Sequence, residues 1–159
     1  MDWGGWVVFG LLATAVLTTV LIVAQLSGLT RMDLPMMLGT VFVVDPDRAR
    51  AVGLFLHLAI GELFALGYTA VFALLGHAGW LTGALLGLLH GVLALTVLAP
   101  VLLPGIHPRM ATSRTGPAAG AVLEPPGLLG INYGRQTVVV GMIAHVAYGV
   151  ALGTLLRPR

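Results

Sequence analysis

Hydrophobic positions in this chain fall into four long runs, and polar positions are confined almost entirely to the segments between them. The runs cover residues 6–26, 51–75, 79–103 and 137–156. Each reaches the roughly 20 apolar residues that a helix needs to cross the hydrocarbon core of a bilayer. Glu62 is the one formal charge inside any run. The pattern predicts an all-α integral membrane protein: a four-transmembrane-helix bundle with helices over about 6–26, 47–75, 79–103 and 135–156.

The connections carry their own signals. Residues 29–44 are apolar but interrupted by Arg31, Asp33 and Pro35. That segment is too short to span and is expected to form a short interfacial helix, started by Asp33 with Pro35 in its first turn. Asp45-Pro46-Asp47 is a strong helix start: an Asp cap, Pro at the first helical position, and acid near the positive end of the dipole. His77-Ala78 makes a minimal turn, which predicts that the second and third long helices are antiparallel neighbours. Residues 107–134 form the longest loop, with Ala111–Ala121 small, polar and expected to be mobile.

Comparing the chain with itself gives the most informative result. A shift of 77 residues sets Trp3 on Trp80, Gly10-Leu11-Leu12 on Gly87-Leu88-Leu89, Thr19-Val20-Leu21 on Thr96-Val97-Leu98, and Gly28 on Gly105. Arg31-Met32 then meets Arg109-Met110, and the run from Asp33 to Gly39 meets that from Glu124 to Gly130. Val52-Gly53 through His57 to Gly61 meets Val140-Gly141 through His145 to Gly149. The series predicts a tandem duplication of a helix hairpin, residues 1–76 and 79–159. The repeats would be parallel, with a pseudo-two-fold axis along the membrane normal.

Composition narrows the class. At 159 residues there is room for one domain, and 58% hydrophobic against 9% charged residues leaves too few charges to cover a water-facing surface. There is no cysteine, so disulfides and thiolate metal sites are excluded. The net charge of +2 comes with arginine and no lysine, spread over loops that flank helices, which makes a nucleic-acid partner a poor fit. Arg31, Arg48, Arg50, Arg109, Arg114 and Arg135 lie in the longer loops, and only Arg157 and Arg159 lie on the other side. This bias predicts cytoplasmic long loops and both termini outside, in the inner membrane of a bacterium. The leader carries Asp2 and no cation, so the first run reads as a retained anchor. The partners expected are the lipid bilayer and a membrane protein or a second copy of the chain.

Several residues could carry chemistry. Gly79, Gly83, Gly87 and Gly91 form a stripe at a spacing of four, and Gly53, Gly61, Gly141, Gly149 and Gly153 flank histidines at the same spacing. Close helix packing is the favoured account, and a groove for a flat cofactor the alternative. His57 and His145 occupy equivalent repeat positions and could converge across the bundle. They could ligate a b-type haem or a transition metal, hydrogen-bond a quinone-like ligand, or simply bond each other or a helix carbonyl. His90 falls on Ala13 and breaks the symmetry. Glu62 lies about 140° around its helix from His57 and is expected to be protonated or paired, with a proton relay as the alternative. Arg31, Asp33, His107, Arg109 and Glu124 form an expected rim, either ion pairs at headgroup level or a gate. Met32, Met36, Met37 and Met110 suit packing better than Cu(I).

The segment Arg31 to Gly39, His57, His90-Gly91 and the segment Leu103 to Met110 together resemble an uncharacterised family of small multi-pass, four-helix membrane proteins from actinobacteria and other GC-rich bacteria. The resemblance covers most of the chain and implies no activity; Glu62 is outside its pattern. No nucleophile–base arrangement, phosphate loop or metalloprotease helix is present, so an enzyme is the weaker class. The first expectation is a His-lined inter-repeat site for a ligand or cofactor, in a protein that could be an accessory subunit. A transporter or channel-like unit and a purely structural membrane subunit are the alternatives.

Overall fold

Local capping signals become helix ends where the sequence places them. A computed structural model of the chain describes residues 4–112 and 123–156. Helix α1 (Gly5–Leu26) ends at Ser27, and Gly28 turns the chain at a φ of +73°. Asp33 starts α2 (Leu34–Gly39) by accepting a 2.9 Å hydrogen bond from the Met36 amide, with Pro35 in the first turn. Asp45 caps α3 (Pro46–Leu75) in the same way through the Arg48 amide, and Gly76 ends it in the left-handed conformation that glycine tolerates best. The next helix begins as α4 (Trp80–Leu93), widens into a π-helical stretch (Ala94–Leu102) and finishes as α5 (Leu103–Ile106). Pro100 lies inside that stretch and has no N–H to give, which accounts for the break in regular hydrogen bonding there. A 3-10 turn (Leu128–Tyr133) leads into α6 (Gln136–Leu155).

Among the described residues, four helices are long and apolar enough to cross a membrane: Gly5–Leu26, Pro46–Leu75, Trp80–Ile106 and Gln136–Leu155. No more than 39% of the apolar window of any of them is buried within the protein. Leu63, Leu89, Val101 and many similar side chains therefore face outward along their full length. Water does not tolerate apolar surface on this scale, and lipid does.

The packing is uneven. Helix α1 lies between α3 and α6, and α6 in turn packs closely on α4. The α4–α6 seam is glycine on glycine: a Cβ at Gly83 would lie 2.1 Å from the Gly149 carbonyl oxygen, and one at Gly153 would lie 2.3 Å from that of Gly79. Gly79, Gly83 and Gly87 of the stripe thus lie against the backbone of α6. The second and third spans, joined by the His77-Ala78 turn, have little close backbone contact. They meet instead through ring side chains, with Phe64 stacked on His90 at 3.9 Å. Rings hold helices apart where glycines let them touch.

Two core clusters result. One, built on Leu17, Ala65, Phe72, Tyr148 and Leu152, fills the end of the bundle near the α3–α4 turn. The other, built on Met32, Met37, Leu103, Met110 and Tyr133, lies under α2 at the arginine-rich end. Three of the four candidate methionines are thus core packing, and Met36 Sδ lies 3.9 Å from Arg50. The long loop is described on either side of residues 113–122. Its described parts are organised, with Met110 bridged to Leu123 and the 3-10 turn closing onto α6. Trp3, Arg114, Arg157, Arg159 and residues 113–121 of the stretch expected to be mobile lie outside the described residues.

Candidate functional site

Where α3 and the third long helix part, a cavity of about 410 Å³ opens. The π-helical stretch forms one wall, through Leu95, Leu98 and Ala99. α2 and the segment before it form the roof, through Met32, Leu34 and Leu38. Ile60, Leu63, Leu102 and Ile106 line the cavity while remaining exposed on the outer surface. All four belong to α3 or the third long helix, so the mouth lies between those helices on the apolar outer surface.

His57, His90 and His145 all line this cavity. His57 is buried, and its Nδ1 lies 3.1 Å from the Thr18 hydroxyl. That hydroxyl lies 2.7 Å from the Thr14 carbonyl, to which it donates. His145 Nδ1 donates to the Gly141 carbonyl one turn back, at 2.7 Å. The His90 ring lies edge-on to that of His145 at 4.7 Å, with Nδ1 3.4 Å from the Tyr68 hydroxyl. His57 and His145 thus each have an anchor of their own, rather than a bond to the other. Among the described residues, no group of three or more His, Asp or Glu side chains is placed to share a metal ion.

The candidate glycines divide. Gly61 and Gly141 line the cavity. Gly53 instead receives α2, since a Cβ there would lie 1.7 Å from the Pro35 carbonyl oxygen, and Gly149 is committed to Gly83. Glu62 is outside the cavity, with its carboxyl against Gly10 of α1. Both its oxygens are buried and unpartnered among the described residues, so the paired alternative does not hold. A buried polar group with no partner costs about 1–3 kcal/mol. Glu62→Leu is accordingly expected to raise the denaturation midpoint in detergent. A lowered midpoint would show that the carboxyl is satisfied by something the protein binds.

The rim residues form a frame for the roof. Arg31 meets Glu124 at 3.5 Å and donates to the Asn132 carbonyl, so the expected pairing of these segments is present. Asp33 pairs instead with Arg50, at 2.8 Å, an ion pair within the residues around one hairpin. Arg109 donates to the Thr40 and Val41 carbonyls, beyond the C-terminal end of α2. His107 Nε2 donates to the Met37 carbonyl at 3.0 Å while its Nδ1 accepts the Arg109 amide at 3.0 Å. Both ring nitrogens are used in the neutral form, and burial, aided by the Arg109 charge, lowers its pKa. These groups stabilise the negative end of a helix dipole and hold α2 over the cavity.

Residues absent from the sequence-based candidates include Thr18, Phe64, Tyr68, Tyr148 and Arg50. Tyr148 lines the cavity and donates to the Gly61 carbonyl at 2.6 Å. The chain has only three tyrosines, so two inside apolar spans were a usable signal. No family model, no curated protein and no solved structure matches this chain.

Proposed function

We propose that this is an integral membrane protein that binds a small lipid-soluble molecule in the cavity between α3 and the third long helix. The observation that carries the reading is the combination of an apolar chamber, a lipid-facing mouth and three histidines on its wall. Its volume lies in the lower part of the range for small-molecule sites, which are mostly apolar with a few orienting polar groups. A mouth open to lipid suits a ligand that partitions into the bilayer. The arginine-rich end is taken as cytoplasmic, in a bacterial inner membrane. The tandem duplication is part of the same proposal, supported by the ordered sequence matches and by a short helical segment before both α3 and α6. On that view one seam, α1 on α6, stayed closed, and its counterpart between α3 and α4 became the chamber. We extend the family resemblance to the proposal as well; an accessory role beside another membrane protein is compatible with it. A transport pathway along the bundle axis has less support, because the core around Leu17, Phe72 and Leu152 fills the far end.

Ala99→Phe places a ring in the chamber from the π-helical wall. Organic extraction of the purified protein, followed by mass spectrometry, is expected to release about one small molecule per chain, reduced at least about tenfold in the variant. An empty extract, or equal recovery from both proteins, would overturn the proposal.

A further inference from the structure

The hydrogen-bonding state of the histidines specifies what kind of polar group the chamber accepts. A carbonyl oxygen has no hydrogen to give, so the 2.7 Å contact between His145 Nδ1 and the Gly141 carbonyl requires the hydrogen on Nδ1. His57 follows by one more step. The Thr18 hydroxyl has a single hydrogen, directed at the Thr14 carbonyl 2.7 Å away. Facing His57 Nδ1 at 3.1 Å it can only accept, so that nitrogen also carries the hydrogen. In a neutral imidazole the other nitrogen is then a bare acceptor. Neither Nε2 has a partner among the described residues, and neither is sealed inside the protein. Both rings line the chamber, so each bare nitrogen belongs to a ring that borders it.

Donors on the same wall are already engaged. Thr14 gives its hydrogen to the Gly10 carbonyl at 2.8 Å, and Tyr148 gives its own to the Gly61 carbonyl. Thr30 and Thr137 bond each other at 2.6 Å up at the roof, where one of their two hydrogens stays unassigned. His90 stacks on Phe64 and lies edge-on to His145, with Nδ1 3.4 Å from the Tyr68 hydroxyl; that pair has two hydrogens for one bond, so one donor hydrogen stays over at His90 or Tyr68, away from the His57 and His145 anchors. Around His57 and His145 the chamber is therefore rich in acceptors and poor in donors.

Resting on the binding proposal above, we infer that the ligand presents a hydroxyl hydrogen to one of these two acceptors, His57 or His145: a lipid-soluble alcohol or phenol rather than a ketone, quinone or ether. The two anchors, Thr18 and Gly141, act as positioning groups that fix which nitrogen is bare.

Three probes of one carbon skeleton separate the possibilities: 2-naphthol, which donates; 2-methoxynaphthalene, which only accepts; and naphthalene, which does neither. Equilibrium binding is measured on the full chain in lipid nanodiscs against empty nanodiscs. The expected result is tighter binding of 2-naphthol by about fivefold over both others, one net hydrogen bond. That preference should vanish in His57→Leu/His145→Leu. It should shrink in the near-isosteric Thr18→Val, which leaves His57 free to change tautomer without emptying the core. Equal binding of all three probes, lost in Ala99→Phe, would sink the hydroxyl inference while leaving the chamber as a ligand site. No binding above empty nanodiscs would overturn both. Stoichiometric zinc or copper in the purified protein, released by the double histidine variant, would also overturn the inference, since the two nitrogens would then be metal ligands.

Discussion

Gly83→Val is expected to destabilise the protein by about 3 kcal/mol, the upper end for overpacking, because what it meets is backbone. The first added carbon would lie 2.1 Å from the Gly149 carbonyl oxygen and 3.1 Å from the Gly153 Cα. No rotamer relieves such a contact, so α6 must move away from α4. The same motion carries His145, which lies on α6 four residues before Gly149, away from His90 and the chamber wall. Stability and ligand binding should therefore fall together. Gly67→Ala is the matched control: it is mid-helix in α3, and a Cβ there meets nothing within 4 Å. It should leave the midpoint unchanged or slightly raised. Denaturation of both variants in mild detergent, followed by circular dichroism, checks the contrast; equal midpoints would refute the glycine seam.

The second large effect is expected at Asp33. One carboxylate oxygen caps α2 through the Met36 amide at 2.9 Å, and the other accepts from Arg50 at 2.8 Å. Losing a cap costs about 1 kcal/mol, and a pair whose arginine is half exposed adds up to about 1 kcal/mol. Asp33→Ala should thus cost about 2 kcal/mol, whereas Asp33→Asn, which keeps a capping oxygen, should cost about half of that. Since Leu34 and Leu38 of α2 roof the chamber, the alanine variant should also bind 2-naphthol more weakly. Protease accessibility of residues 29–44 gives an independent reading: faster cleavage in Asp33→Ala alone is expected. Equal cleavage in both variants would mean that α2 is held by Arg109 and His107 alone.

Much of the architecture was legible beforehand. The four long apolar helices and the Asp33 and Asp45 caps follow from hydrophobic run length and from the competition of Asp for backbone amides. The site was legible only in part. His57, His90 and His145 stood out as polar groups in apolar helices, and all three line the chamber. Gly53 and Gly149 carried the same spacing signal but are committed to Pro35 and Gly83, because a small residue at a seam and one at a cavity look identical in one dimension. Asp33 was assigned to a rim with Arg31 and Arg109, yet its partner is Arg50, seventeen residues on. Short-range charge partners depend on helix rotation, which spacing alone leaves open.

By itself, the amino-acid sequence determined that this chain belongs in a membrane as four helices, because 9% charged residues cannot solvate four apolar runs of that length. Only the tertiary structure decided that α4 meets α6 glycine on glycine while Phe64, Tyr68 and His90 prop it apart from α3. It also placed the Thr18 hydroxyl and the Gly141 carbonyl against the Nδ1 atoms of His57 and His145, the contacts from which their tautomers are inferred. The reason is physical: run length is set by the bilayer, but a chamber is a volume left over between helices. That volume depends on the sum of side-chain sizes across seams that no single segment contains.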